Sequence, residues 1–293
     1  MGTGASALML ARLLGLMPVK VTISGVARKA VLAVGDMLYP RLRAGIRMTL
    51  AVPPTTLEVD TSHANERLLC YAYSNILRAY GRSPLFLAMR KYLSPGVTFL
   101  DVGANLGVYG VLAKTRLGAR VVSFEPEYRH FEFLRRNPHV FDETYPFALG
   151  DTDGESTLYV AGDANPGASS LVQSGAAGGK SAYVSRANVT VRRFDSVVSP
   201  ALNVGLVKID VEGAEAAVVR GMSRFLEAGP RPAIWCEVRG PSSDRNPNSF
   251  RDVCDFLNGF GYTPCIGAKG RAFDIAGAHA PRVFDLLFVA PQG

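Results

Sequence analysis

Phe99-Leu100-Asp101-Val102-Gly103-Ala104-Asn105-Leu106-Gly107 is the stretch that decides how this chain folds. Val97–Val102 reads as a short apolar strand, and the glycines that follow, four apart, read as a turn. Val108–Leu117 then continues as a helix that Gly118 ends. Without a Cβ, Gly103 and Gly107 allow the backbone to approach a ligand closely. The start of the helix adds N–H groups and the positive end of a dipole. Asp101, at the strand's end, is placed to reach a cationic or hydroxyl group. A plain strand-to-helix turn uses glycine in the same way, so the stretch has to be read with its neighbours.

Downstream, Val121-Val122-Ser123-Phe124-Glu125-Pro126 is a second strand ending in an acid. Glu125 falls about 20 residues after the glycine turn, the distance at which dinucleotide folds place a carboxylate on ribose hydroxyls. Tyr128–Arg136 is a helix stopped by Asn137-Pro138, and Tyr145–Leu149 a third strand. Leu206–Asp210, Ala233–Val238, Thr263–Ile266 and Phe284–Val289 are further strands. Ala214–Leu226 and Phe250–Phe260 are helices between them. This alternation predicts an α/β domain with a mostly parallel sheet covered on both faces. Residues 151–200 interrupt it with β-like stretches at Ser156–Val160 and Val189–Phe194 and a Gly/Ala/Ser-rich loop from Ala161 to Gly179. A loop of that length inside a compact domain is usually functional or disordered. Two short helices are expected between Asn65 and Leu93, after a weakly patterned lead-in broken at Pro53-Pro54.

The chemistry gathers at strand ends. In Leu206-Val207-Lys208-Ile209-Asp210-Val211-Glu212-Gly213-Ala214-Glu215, Lys208 and Asp210 alternate with Val207 and Ile209 and so point to one side of the sheet. A lysine in a covered strand needs a partner, and Asp210, Glu212 or Glu237 could supply it. Glu215 reads equally well as a helix-start acid. Ile234-Trp235-Cys236-Glu237-Val238 repeats the pattern on the next strand. Several carboxylates therefore converge on one edge of the sheet, where open α/β sheets build their sites and where a raised pKa suits a general base. The two strand-end acids do not by themselves separate a nicotinamide from a sulfonium cofactor. Asn105, standing where G-x-G-x-x-G would have its second glycine, disfavours a pyrophosphate site.

Taken together, Phe99–Gly107, Phe124-Glu125-Pro126, Ala148-Leu149-Gly150-Asp151, Gly167-Ala168-Ser169-Ser170-Leu171 and Lys208–Glu215 resemble the FkbM family of methyltransferases, in order and in spacing. The resemblance runs from about Val97 to Ala290. Phe147 stands where a small residue is common in the family. What it implies is a Rossmann-like class I methyltransferase fold: a seven-stranded, mostly parallel sheet with helices on both faces. Outside the resemblance, the chain's own pattern divides it into an N-terminal, mostly helical extension over residues 1–64 and a methyltransferase domain over residues 65–293. The resemblance implies S-adenosylmethionine as cofactor and a sugar, glycolipid or natural-product hydroxyl as acceptor. Carried over by position, Asp101, Gly103, Ala104, Asn105 and Gly107 would cradle the methionine end. Glu125 and Pro126 would meet the ribose, and Leu149, Gly150 and Asp151 the adenine edge. Ser169 and Ser170 would sit on a loop folded over the site. Asp210 and Glu212 would line the reaction centre; the reading of the strands adds Glu237 and Lys208 to them, with Asp210 the first choice as base. The same acids offer ligands to a divalent metal, a second option not favoured over the metal-free one.

Composition bounds the rest. The chain has 293 residues, 48% of them hydrophobic, and a formal charge of +7. Residues 1–50 hold seven basic side chains (Arg12, Lys20, Arg28, Lys29, Arg41, Arg43 and Arg47) against the single acid Asp36. That segment is either a cap packed on the core with a solvated basic face or a peripheral contact with an anionic membrane. Its apolar run, Ala5–Met17, is interrupted by Arg12, is too short to span a bilayer and makes a poor signal peptide. Cys70, Cys236, Cys254 and Cys265 have no metal or disulfide spacing, which suits the cytoplasm, at most at the inner face of the membrane. A nucleic-acid substrate is not expected. The fourth strand lacks a Pro-Pro-aromatic run, Pro264-Cys265 comes too late for a cytosine nucleophile, and an acid-rich site repels phosphates. An NAD-dependent sugar oxidoreductase and a catalytically silent cofactor-binding module remain the competing readings.

Overall fold

The computed structural model describes residues 33–37, 42, 44–161, 169–173, 183–229, 231–239, 249–267, 271–272 and 283–290. Its elements in chain order begin with β1 (Arg47–Val52), β2 (Thr55–Asp60), α1 (Ala64–Tyr80) and α2 (Pro84–Tyr92). The strand–helix alternation follows as β3 (Thr98–Val102), α3 (Val108–Leu117), β4 (Arg120–Phe124), α4 (Tyr128–Arg136) and β5 (Glu143–Tyr145). Next come β6 (Ala148–Gly150), β7 (Gly154–Ala161), β8 (Tyr183–Arg193) and α5 (Phe194–Val197). Then β9 (Val204–Ile209), α6 (Glu215–Gly221), α7 (Ser223–Ala228) and β10 (Ala233–Arg239). The last are α8 (Ser249–Gly259), β11 (Thr263–Ile266), β12 (Arg271–Ala272) and β13 (Val283–Val289).

The central sheet runs β12-β11-β13-β10-β9-β3-β4-β5. β5, β4, β3, β9 and β10 are parallel, and β13 enters antiparallel beside β10. The seven expected strands are all there, and the two-residue β12 extends one edge to eight. From β3 the chain winds outward to β4 and β5, and later returns to the other side as β9 and β10. The crevice between β3 and β9 is therefore the topological switch point, where such sheets bind ligands.

Period-two alternation divides the strand residues between two apolar layers. Phe99, Val121, Leu206 and Trp235 face α1, α2 and α3, where Leu68, Phe86, Met89 and Leu112 meet them. Leu100, Val122, Val207 and Cys236 face α6, α7 and α8, where Val218, Phe225, Val253 and Leu257 meet them. Burial on both faces explains why these strands are continuously apolar.

The structure departs from the sequence reading in three places. Residues 47–60 form an antiparallel hairpin where helix was expected. Val52, Leu57 and Val59 alternate into the α1–α3 core, so the hairpin is part of that core. Asn137 pins it, accepting from the Glu58 N–H at 2.7 Å and donating to the Glu58 carbonyl at 3.1 Å. Most of residues 1–46, and with them most of the basic lead-in, lie outside the described residues; residues 33–37 are helical. The third strand is split into β5 and β6, because Pro146 has no N–H for the ladder. β6 joins a separate three-stranded sheet with β7 and β8. The helix expected over Ala214–Leu226 is two helices meeting at Met222, and Asp195 caps the second by accepting from the Arg224 and Phe225 N–H groups at 3.1 and 2.9 Å. Among the described residues no helix is long and apolar enough to cross a membrane. Gly167 and Ala168 lie outside the described residues.

Candidate active site

The turn after β3 and the turn after β9 meet backbone to backbone. The Asp210 N–H donates to the Val102 carbonyl at 3.1 Å. Gly103 has φ +76°, and a Cβ there would lie 2.0 Å from the Asp210 carbonyl oxygen. This glycine therefore serves the close approach of two strand ends. Gly107 likewise faces Phe141 and Leu134 in the core, its would-be Cβ 2.4 Å from the Phe141 ring. Gly103→Ala is expected to cost about 2 kcal/mol or more from strain and overlap. A thermal melt equal to wild type would contradict that.

Glu125 holds the same turn from the other side. One carboxylate oxygen accepts from the Asn105 N–H at 2.7 Å and the other from the Glu127 N–H at 2.8 Å. The Asn105 N–H is thus taken by the protein. Burial pushes Glu125 up to about 7, against the two N–H donors that lower it.

Below the turn, Lys208 is buried. Its Nζ donates to Asp101 Oδ1 at 3.0 Å and to the Gly103 carbonyl at 2.9 Å, and Asp210 Oδ2 lies 3.7 Å away. Burial alone would lower the ammonium; the Asp101 and Asp210 carboxylates outweigh it and hold Lys208 above its ordinary value. Asp101 Oδ2 is buried without a partner among the described residues.

A cleft opens at this switch point, where such sheets place their ligands. Gly103, Asn105, Glu125, Pro126, Asp210 and Glu212 form its polar side, and Phe124, Phe147, Leu149, Leu158, Leu171 and Val211 its apolar side. Ser169 and Ser170 also line it. Ser170 Oγ donates to the Glu212 carbonyl at 2.7 Å, tying this loop to the turn after β9. Glu212 there has φ +60°.

Most of the expected residues converge here, but some do not line the cleft. Asp101 and Lys208 pair beneath it, Ala104 is buried with its N–H on the Phe124 carbonyl, and Gly107 faces the core. Gly150 is buried beside Gly221. Asp151 is not among the lining residues; its carboxylate is held by Arg220 Nε at 2.9 Å. Glu215 is the helix-start acid, buried and accepting from the Gly213 N–H at 2.8 Å.

Oxygens of Asp210, Glu212 and Glu237 lie within 4.8 Å of one another. Burial first, then Asp210 and Glu212, drive Glu237 well above the ordinary carboxylate value. Two residues were missed from sequence. Arg239 is buried and ion-paired to Glu212 and Glu237. Its place two residues past Glu237 on one strand, and so on the same face, was the available signal. His130 lines the cleft and contacts Asn65 Nδ2 at 2.9 Å, across 65 residues of chain, a contact with no local signal.

A family profile described as the methyltransferase FkbM domain matches residues 101–264, more than half of the chain. No curated protein matches. Solved structures that match include a TehB-like S-adenosylmethionine-dependent methyltransferase from Corynebacterium glutamicum, with 10% identity and TM-score 0.41, covering 75% of this chain and 95% of that one. Geranyl diphosphate methyltransferase in complex with S-adenosylmethionine matches at 14% identity and TM-score 0.41, covering 75% and 88%. Precorrin-6y C5,15-methyltransferase from Geobacter metallireducens matches at 13% and 0.38, covering 71% and 87%.

Proposed function

This chain belongs to the FkbM methyltransferase family, and from that premise we propose that it transfers a methyl group from S-adenosylmethionine to a hydroxyl of a sugar or natural-product acceptor. The observation that carries the reading is one cleft holding a buried carboxylate, an apolar slot and a second group of acids together. The donor set fits the cofactor. Glu125 keeps lone pairs for ribose hydroxyls, and the Phe147, Leu149, Leu158 and Leu171 side suits a flat base. When bound, the cofactor supplies a methyl group already activated for displacement.

The protein's part is alignment and removal of a proton. Asp210 lines the cleft and is steadied from below by Lys208, so it is the proton acceptor for the acceptor hydroxyl. Glu237 is a weaker choice, because it does not line the cleft and is paired with Arg239. Glu212 is committed to Arg239. Lys208 acts through Asp101 and Asp210 as a positioning residue.

Calorimetry tests the reading. S-adenosylmethionine should bind and NAD should not; binding of NAD alone would overturn it in favour of an oxidoreductase. The same titration reports on Glu125. Its folded pKa, about 7, lies above its ordinary value of 4.5. Its contribution to stability is therefore full below the ordinary value and lost as pH rises through about 7. Ribose hydroxyls donate to the ionised form, so binding should release a proton near that pH, and affinity should rise with pH through it. Heats that do not change with the ionisation heat of the buffer would remove Glu125 from the ribose site. Glu125→Gln should abolish the proton release.

A further inference from the structure

We propose that Arg239 is the built-in cation of the acidic cluster: its guanidinium occupies the place where a metal-assisted enzyme would hold a divalent ion, and it positions Glu212 and Glu237 without one. The proposal rests on the cleft being the site of methyl transfer. On β10, Trp235, Glu237 and Arg239 share one face of the strand. One terminal nitrogen of the buried Arg239 donates to Glu212 Oε2 and, at 3.3 Å, to Glu237 Oε1.

Three carboxylates within 4.8 Å of one another are the arrangement that would recruit a cation. Like charges this close cannot all stay ionised unless a positive charge sits among them. Magnesium or calcium would need six or more oxygens around it. The guanidinium already takes an oxygen from each of two of the three acids, and it stays charged at every accessible pH. Ion and guanidinium would compete for the same oxygens. Arg239 Nε is also buried without a partner among the described residues, so the side chain has a donor to spare that water or an acceptor oxygen would satisfy.

The test uses Mn²⁺ alone as probe, titrated into the full chain with no cofactor present and followed by electron paramagnetic resonance. The wild-type protein should show no Mn²⁺ bound at the cluster. Arg239→Met, neutral and of similar length, should gain a site of about 10⁻⁴ to 10⁻³ M affinity. Adding Asp210→Asn to that variant should remove the new site, and Arg239→Lys should not create one. Mn²⁺ binding to wild type that Asp210→Asn abolishes would overturn the proposal. So would a folded Arg239→Met protein with no gain in Mn²⁺ affinity. If Arg239→Met does not fold, the wild-type titration and Arg239→Gln, read in the same way, still decide it. None of these measurements needs methyl transfer, so failure here is distinguishable from failure of S-adenosylmethionine to bind.

Discussion

Asp210→Asn should lose about 10²- to 10⁴-fold in turnover while binding S-adenosylmethionine nearly as tightly as wild type, the range by which a positioned acid or base contributes. The substitution keeps the shape of the side chain and removes only its capacity to accept a proton. The backbone of residue 210 stays in place, because its N–H on Val102 and its carbonyl against Gly103 do not depend on the side chain. Loss of the negative charge 3.7 Å from Lys208 is tolerated, because Asp101 remains as the closer partner. Single-turnover kinetics beside calorimetry separates the two effects. Turnover at the wild-type level would remove Asp210 as base and pass the role to Glu237. Equal losses in affinity and turnover would mean that Asp210 binds the cofactor instead.

The largest stability effect should come from Lys208→Met. It leaves Asp101, buried at 1% exposure and with one oxygen already unpartnered among the described residues, with no cation beside it among them. Breaking a buried pair from one side costs about 3–5 kcal/mol. For a domain of this size each kcal/mol lowers Tm by roughly 2–4 °C. Replacing both partners, as in Lys208→Met with Asp101→Leu, removes the stranded charge and should recover most of the loss. Thermal melts of the two single variants and the double variant form the cycle. A Lys208→Met protein as stable as wild type would show that the pair carries no such weight. A double variant worse than the sum of the singles would show that the row is held by more than charge.

That pair also shows what the residues disclosed in advance and what they did not. The strand–turn–helix at Phe99–Leu117 and the acids ending β4, β9 and β10 were legible, because apolar period and turn chemistry act locally. Lys208 was legible as a residue in need of a partner. The identity of that partner was not, because Asp101 lies 107 positions away and only the β3–β9 register brings the two opposite each other. The pairing of Asp151 with Arg220 was hidden for a similar reason. Pro146 breaks the third strand, and the segment after it turns into the smaller sheet, where Arg220 captures the carboxylate. The hairpin at residues 47–60 was legible in principle: Met48, Leu50 and Val52, then Leu57 and Val59, alternate across a Pro-Pro turn. The basic residues nearby drew the reading toward an amphipathic helix.

The grip of Glu125 on the Asn105 and Glu127 N–H groups has a thermodynamic consequence. Two turns from neighbouring strands are fastened to one carboxylate before any ligand arrives. The conformational entropy of that wall is therefore given up when the chain folds and not when it binds. Association on this side of the cleft should then approach rigid docking, its heat capacity change reflecting the apolar area covered with no contribution from coupled folding.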